Sequence, residues 1–486
     1  MIVSLENYKT KLYQCFFGFG FIGFALTAIR RIVTSGNSHH LYVVVVFTLL
    51  FALILGLDRY YWVLGCYLIF TIGIPYIKTS GLELGGGTLV CMYFLRSIFR
   101  REIPAKPEFP TFWILIPYIA CVAVMFVINP CGLFIFGAQS IGSRFYAMLV
   151  IGLAVLFVLE RMTFTEQQAK VLFYTAMAGS LSCLVFVSRA ADSVISGDAF
   201  SDSLHYEFLQ MRIVAMLLLC RYPISRFLSD FRLFLCIATA WTLCVYSGNR
   251  TAGMTPPVCA AILAFVRRRE RMLVVLLAAV GMFGLVFLAV GHGNLYQLPT
   301  SVQKALSFLP GDWDAKWSDY GFKDRFRAEL RRMAKDQIRQ SPWTGRKGFA
   351  INLGEVSWVA AGNDAYAGHA LTGNWHNVWL GLAADFGVPC AMFFALFYAC
   401  AIIYAYRKTR IFRPGSWLES MYLFVFIQLF LVFLNSFFAG GHSAKTPEET
   451  FLWFGFCLAL INGREAELRS EPTLIHMVSA NSNGEH

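Results

Sequence analysis

Met272–Val290 reads MLVVLLAAVGMFGLVFLAV, an apolar run without a charge or a proline. A run of this length matches the roughly 20 apolar residues that carry an α-helix across a bilayer, and its continuity is not the alternating pattern of a β-barrel strand. Leu41–Leu57 has the same character. Around these two runs the whole chain of 486 residues is apolar, 57% hydrophobic and only 14% charged, against roughly a quarter charged in soluble proteins. The sequence therefore predicts an all-α fold, a polytopic membrane helix bundle of about 12–14 spans. The spans are expected near 15–29, 41–57, 60–78, 84–99, 111–128, 145–159, 169–187, 207–221, 229–247, 253–267, 272–291, 377–406, 418–438 and 449–462.

Past Gly291 the character changes: a polar stretch, His292 to Trp375, separates this span from the next long apolar run. The expected organisation is thus N-terminal spans over 1–291, one large external loop over 292–375, C-terminal spans over 376–462 and a tail over 463–486. Lys and Arg in short loops are held on the cytoplasmic side. Arg96-Arg100-Arg101-Lys106, Arg221-Arg226-Arg232, Arg267-Arg268-Arg269-Arg271 and Arg407-Lys408-Arg410-Arg413 share one side of the span count. The loops 188–206, 247–252, 292–375 and 439–449 then face outward, and both termini face inward; Arg30-Arg31 runs against this order. Cys15–Ala28 reads as a retained anchor and not a cleaved leader, and the Glu-, Ser- and Asn-rich stretch after Arg464 as a mobile end. Of the 13 cysteines, nearly all fall in apolar segments without a C-x-x-C pair, as small core residues do.

Charge singles out the insert. From Lys304 to Lys347 it carries 11 Lys or Arg against 6 Asp or Glu, which is either a solvated surface or a field for an anionic partner. Gly321 to Gln340 has helical spacing: Phe322, Phe326, Leu330 and Met333 form a stripe, ringed by Arg325, Arg327, Arg331, Arg332, Lys335 and Arg339. Such a helix lies on a bundle as an interfacial element, or offers guanidinium forks to a phosphate. Pro342 and Gly345 are expected to end it. A second cation, Arg250, stands in Ser247-Gly248-Asn249-Arg250, ahead of Pro256-Pro257, which should break or bend the following helix. It either snorkels to water or faces a central cavity. His376-Asn377 opens the next apolar run. A histidine there is either an interfacial or capping residue or, with an ordinary pKa near 6.5, a proton acceptor for a hydroxyl. Trp313, Trp317, Trp343, Trp358 and Trp375 all fall in the insert, where indole suits both a membrane interface and a sugar face.

These elements resemble the bacterial O-antigen ligase and O-antigen polymerase superfamily over roughly residues 229 to 440. Ser247-Gly248-Asn249-Arg250 is similar to that family's Ser-x-Ser-Arg element. Arg327 precedes Pro342-Trp343-Thr344-Gly345 much as a family arginine precedes a Pro-x-x-Gly turn, with Arg325 as its competitor for that place. His376-Asn377, the apolar helix behind it, Asp385 and Gly387-Val388-Pro389 follow the family's His-Asn sequence, the most specific of the three. Two departures stand out: Gly345-Arg346-Lys347-Gly348 is one residue longer than the usual Gly-x-Gly, and Arg331 replaces an aromatic.

The resemblance implies an inverting glycosyltransferase of the membrane type called GT-C, in the inner membrane of a bacterium with its site facing the periplasm. It implies an undecaprenyl-diphosphate-linked glycan as donor. The acceptor is a sugar hydroxyl on the lipid A core for a ligase or on a lipid-linked repeat unit for a polymerase, the polymerase being favoured. By the same resemblance Arg250 with Arg327 or Arg325 holds the diphosphate, His376 activates the acceptor and Asn377 supports it. Neither a metal nor another cofactor is called for; Asp312-Trp313-Asp314 is the nearest thing to a metal-held diphosphate motif. Membrane lipids are expected partners and nucleic acid is not. The competing reading is a transporter of an anionic solute or lipid-linked glycan, although the chain has one large insert and no paired halves. A structural or sensory membrane protein is the third.

Overall fold

The computed structural model describes residues 65, 68–69, 86–90, 92–93, 109–130, 141–193, 208–247, 249–268, 270–298, 302–303, 306, 309, 311–313, 321–349, 374–438 and 443–482. The expected spans 15–29 and 41–57, most of 60–78 and 84–99, and the Arg30-Arg31 pair lie outside the described residues. Within them the secondary structure is helical: α1 (Thr111–Ile128), α2 (Ile141–Leu159), α3 (Glu166–Ser193), α4 (Met211–Arg221), α5 (Ile224–Ser229), α6 (Phe231–Tyr246), α7 (Arg250–Arg267), α8 (Arg271–Gly291), α9 (Gly321–Gln340), α10 (Val378–Phe386), α11 (Val388–Lys408), α12 (Trp417–Phe438) and α13 (Lys445–Ser482). Four stretches among these residues have the length and hydropathy to cross a membrane: Thr111–Ile128, Arg271–Gly291, Val388–Ile411 and Trp417–Phe437. Phe145–Leu159, Phe231–Tyr246 and Thr251–Arg267 are shorter apolar helices. The chain is an all-α polytopic membrane bundle.

Burial sorts these helices. α8 exposes Met272, Val275, Leu276, Val280, Phe283 and Phe287, apolar side chains that water would not support but lipid does. α4 has eight of its eleven residues buried. A fully buried aromatic cluster lies where α11 meets α13, with Phe394, Phe397 and Tyr398 on the first and Phe451 and Phe454 on the second, each 0% exposed.

The bundle has two chemically different ends. At one, Arg221 donates to the Gly415 carbonyl at 2.7 Å, Arg267 lies 3.9 Å from Glu419, Ile224 N–H donates to Glu270 at 2.8 Å and Lys408 pairs with Glu465. The other end carries the polar insert.

The structure refines three sequence expectations. The span expected over 377–406 is two helices, α10 and α11, because Gly387 adopts φ +92 between them. Pro256 and Pro257 do not break α7, which runs continuously from Arg250 to Arg267. Pro257 cannot donate to the Gly253 carbonyl one turn earlier; the indole of Trp241 on α6 takes that carbonyl at 2.9 Å instead. The stretch after Arg464, rich in Glu, Ser and Asn, is helical and continues α13 as far as Ser482. There Arg464 donates to the Ile411 carbonyl at 3.1 Å and pairs with Glu467 at 3.0 Å. The amphipathic helix predicted over Gly321–Gln340 is α9, with the same limits.

Candidate functional site

The break at Gly387 organises the insert end. Interrupting a helix strands carbonyls on one side and N–H groups on the other. The Pro342–Gly348 turn supplies the missing partners: Arg346 N–H donates to the Ala384 carbonyl at 2.8 Å, Gly348 N–H to the Asp385 carbonyl at 2.7 Å, and Val388 N–H to the Pro342 carbonyl at 2.8 Å. This approach needs glycine. A Cβ at Gly345 would sit 2.5 Å from the Ala384 carbonyl oxygen, and one at Gly387 would strike the Trp343 carbonyl; both residues also hold positive φ. The turn is pinned further by α1 and α2, where Asn129 donates to the Lys347 carbonyl at 3.3 Å and Phe349 N–H reaches Tyr146 Oη at 3.4 Å.

Asp385 is the electrostatic centre of this junction. Its side chain is 0% exposed, and the Arg346 guanidinium approaches it at 2.8 Å. The Trp375 indole donates to Oδ1 at 3.1 Å and the Ser443 hydroxyl to Oδ2 at 2.5 Å. A buried carboxylate is tolerated only when paired and hydrogen-bonded in this way. One side chain therefore ties together the insert turn, the approach to α10 and the approach to α13.

His376 stands between two fixed residues. Trp375 is buried and held by Asp385; Asn377 caps α10, its side chain accepting from Leu380 N–H at 2.9 Å and donating to the Phe437 carbonyl at 3.4 Å. His376 takes φ +52, the left-handed region that costs a side-chain-bearing residue energy and persists only where surroundings impose it. Its side chain is half-buried.

The helix carrying Arg327 packs on this unit. Ala334 of α9 joins Trp375 and Ala384 in one cluster, flanked by Met333, Ile338 and Leu380. Of the predicted stripe, Leu330 is buried and Met333 half-buried, while the side chains of Phe322 and Phe326 lie outside the described residues. Arg327 is half-buried on α9, its carbonyl accepting from Arg331 Nε at 3.2 Å. The Arg325 side chain lies outside the described residues, as does Asp314. On the outward face Arg332 pairs with Glu329 at 2.5 Å and Arg339 with Asp336 at 3.3 Å.

Arg250 is the first residue of α7, directly behind Asn249, whose side chain caps the helix by accepting from Ala252 N–H at 3.2 Å. Its depth follows from register. Arg267, at the other end of α7, faces Glu419 near the start of α12, so the two helices run antiparallel. At 1.5 Å per residue, about 26 Å of helix separates Arg250 from Arg267 and about 27 Å separates Phe437 from Glu419. Arg250 is thus level with Phe437, whose carbonyl holds Asn377. The structure places Arg250, His376 and Asn377 at one end of the bundle, with the helix of Arg327 packed against α10.

Sequence reasoning missed the Asp385, Arg346, Trp375 and Ser443 network. The available signal was an acidic residue inside an apolar run, immediately before Gly387. Residues 235–395, from within α6 to within α11, match the family model for O-Antigen ligase. A comparison with curated proteins found no match.

Proposed function

Since residues 235–395 match the family model for O-Antigen ligase, we propose that this chain transfers a glycan from an undecaprenyl-diphosphate donor to a sugar hydroxyl. Membrane glycan transfer is the activity of that family. The particular donor, acceptor and residue roles are our reading.

In this reading the acceptor oxygen attacks the anomeric carbon as the bond from that carbon to the diphosphate oxygen breaks. The hydroxyl proton passes to the imidazole of His376, and the lipid diphosphate leaves from the opposite face with inversion. Negative charge grows on the leaving diphosphate. Arg250 and Arg327 stand for the preorganised cations that lower such a barrier, and guanidinium forks fit phosphate oxygens in pairs. Asn377 fixes the start of α10 and with it the position of His376. The bacterial inner membrane, with the insert end facing the periplasm, is the setting this chemistry requires, because the basic end then faces the cytoplasm. The acceptor is a lipid-linked repeat unit for a polymerase or the lipid A core for a ligase.

The observation that carries the proposal is the position of His376: held at φ +52 between two anchored residues, at the end of the bundle shared by Arg250, inside the matched segment. The test is His376→Ala in purified protein supplied with a polyprenyl-diphosphate glycan. We expect transfer to cease with donor retention nearly intact, and unchanged turnover removes the histidine as base. The glycolipids of a deletion strain then separate the acceptors: single-repeat surface glycan marks a polymerase, and long chains stranded on the carrier lipid mark a ligase.

A further inference from the structure

We propose that Arg212, on the insert-facing turn of α4, is a further anion-binding residue of this site and holds the phosphate nearest the polyprenyl chain. The inference rests on the glycan-transfer reading above and extends it to a residue outside the 235–395 match.

α4 is short. Its 11 residues span about 16 Å, roughly half of a 30 Å hydrocarbon core. Its far end is fixed at the basic end of the bundle, where Arg221 donates to the Ser420 hydroxyl at 3.3 Å. Further inward Gln428 donates to Met216 Sδ at 3.7 Å. Continuing this antiparallel register puts Arg212 about one turn deeper than Phe437, and so below Asn377 and Arg250. α4 therefore starts within the bundle, surrounded by α3, α6, α7 and α12.

Arg212 is half-buried, and its neighbours along α4 are apolar. Met211, Val214 and Ala215 pack in one cluster with Ala240, Cys244 and Ala252, and Ala252 lies two residues beyond Arg250. The electrostatic neighbours of Arg212 are Cys244 and Glu449. Glu449 stands beyond ion-pair distance: among the described residues Arg212 makes neither a hydrogen bond nor an ion pair. A cation held inside a membrane bundle without a hydrogen bond or a close ion pair is expensive and marks a ligand path more often than a structural role.

Two further features converge on the same turn. No side chain caps the α4 N-terminus; Ile213 N–H already donates to the Gln210 carbonyl at 2.9 Å, so it is the positive dipole end of the helix that favours an anion. Gln210, the residue before α4, is 1% exposed, yet its side-chain oxygen lacks a hydrogen-bond partner. An amide can turn its NH2 toward an acceptor as readily as its oxygen toward a donor. The lipid end of the donor lies in hydrocarbon and its glycan end at the insert, so the two phosphates are ordered by depth. Arg212 is the deeper cation and takes the lipid-bearing phosphate; Arg250 and Arg327 take the sugar-bearing one.

The test is binding of polyprenyl monophosphate and polyprenyl diphosphate to the full chain in nanodiscs, for wild type, R212Q, R212K, R327Q and E449Q, with thermal unfolding as the folding check. We expect R212Q to weaken both lipids tenfold or more, R327Q to weaken only the diphosphate, and E449Q to leave both unchanged. Wild-type affinity in R212Q overturns the inference, as does an equal loss in E449Q, which would make Arg212 the partner of a structural ion pair. Should R212Q not fold, R212K is decisive: an ammonium lacks the bidentate fork, so a several-fold loss supports the inference and unchanged affinity overturns it. If wild type binds neither lipid, the donor assignment fails together with this inference, whereas wild-type binding unaffected by R212Q sinks the inference alone.

Discussion

The two ends of the bundle use charge differently. At the basic end charged groups finish helices: the Glu166 carboxylate accepts from Trp417 and Leu418 N–H at 2.5 and 3.0 Å, and Arg267 donates to the Leu219, Cys220 and Tyr222 carbonyls at 3.3, 2.5 and 3.3 Å. Such contacts serve the fold, each satisfying a backbone group that a helix terminus leaves open. At the insert end the chain instead invests in strain and burial. Lys347 and His376 adopt positive φ, where the basic end has Arg268 alone among side-chain-bearing described residues, and the insert-end pair accompanies a fully buried Asp385. Strain of this kind survives where neighbouring structure over-determines it, and it gathers at functional sites. The contrast sets an end whose charges finish helices against an end whose central charge is buried.

Four measurements break or sharpen this contrast. The largest effect belongs to His376→Ala, which should lower transfer by at least the 10²- to 10⁴-fold associated with a general base, read as product formation at saturating donor; full activity would erase the functional character of the insert end. Next comes Asp385→Ala, which leaves the Arg346 guanidinium and the Trp375 indole without their shared partner. The expected cost is about 3–5 kcal/mol by thermal or denaturant unfolding, and a loss below about 1 kcal/mol would show that the junction does not depend on the buried pair.

Arg250→Ala or Arg327→Ala should weaken donor engagement by about 1.5–3 kcal/mol each, the range for hydrogen bonds to charged groups, measured as donor affinity, while EDTA leaves turnover unaltered. Strong inhibition by the chelator would redirect attention to Asp312 and Asp314. The smallest effect is expected at the basic end. Lys408→Ala breaks the part-buried pair with Glu465 and should cost about 1 kcal/mol or less in stability, without changing donor affinity; a change in donor affinity would blur the distinction between the ends.

Helix positions were largely legible in the chain because the determinants are local. α1 coincides with the expected span 111–128, and α9 begins and ends where the spacing from Gly321 to Gln340 predicts. His376-Asn377 was equally readable as the start of a helix, since Asn is a good N-cap. The character of that helix was not. An apolar stretch from Val378 to Tyr406 looks like one span, and Gly387 within it is unremarkable by composition; only the Pro342–Gly348 turn, folded back on it, gives the broken backbone its hydrogen-bond partners.

What the sequence by itself determined was class and local order: an all-α membrane bundle, the insert, the amphipathic helix within it and the residue types available for chemistry. These follow from apolar length and helical period, quantities that each segment carries alone. The tertiary structure decided which polar groups meet. Asp385 finds Arg346, Trp375 and Ser443 from three separate segments, Gly253 finds Trp241 across a helix interface, and Arg212 stays without an ion-pair partner among the described residues. A buried polar group must be satisfied by whatever packing brings to it, and that partner is set by three-dimensional proximity, which no local pattern encodes.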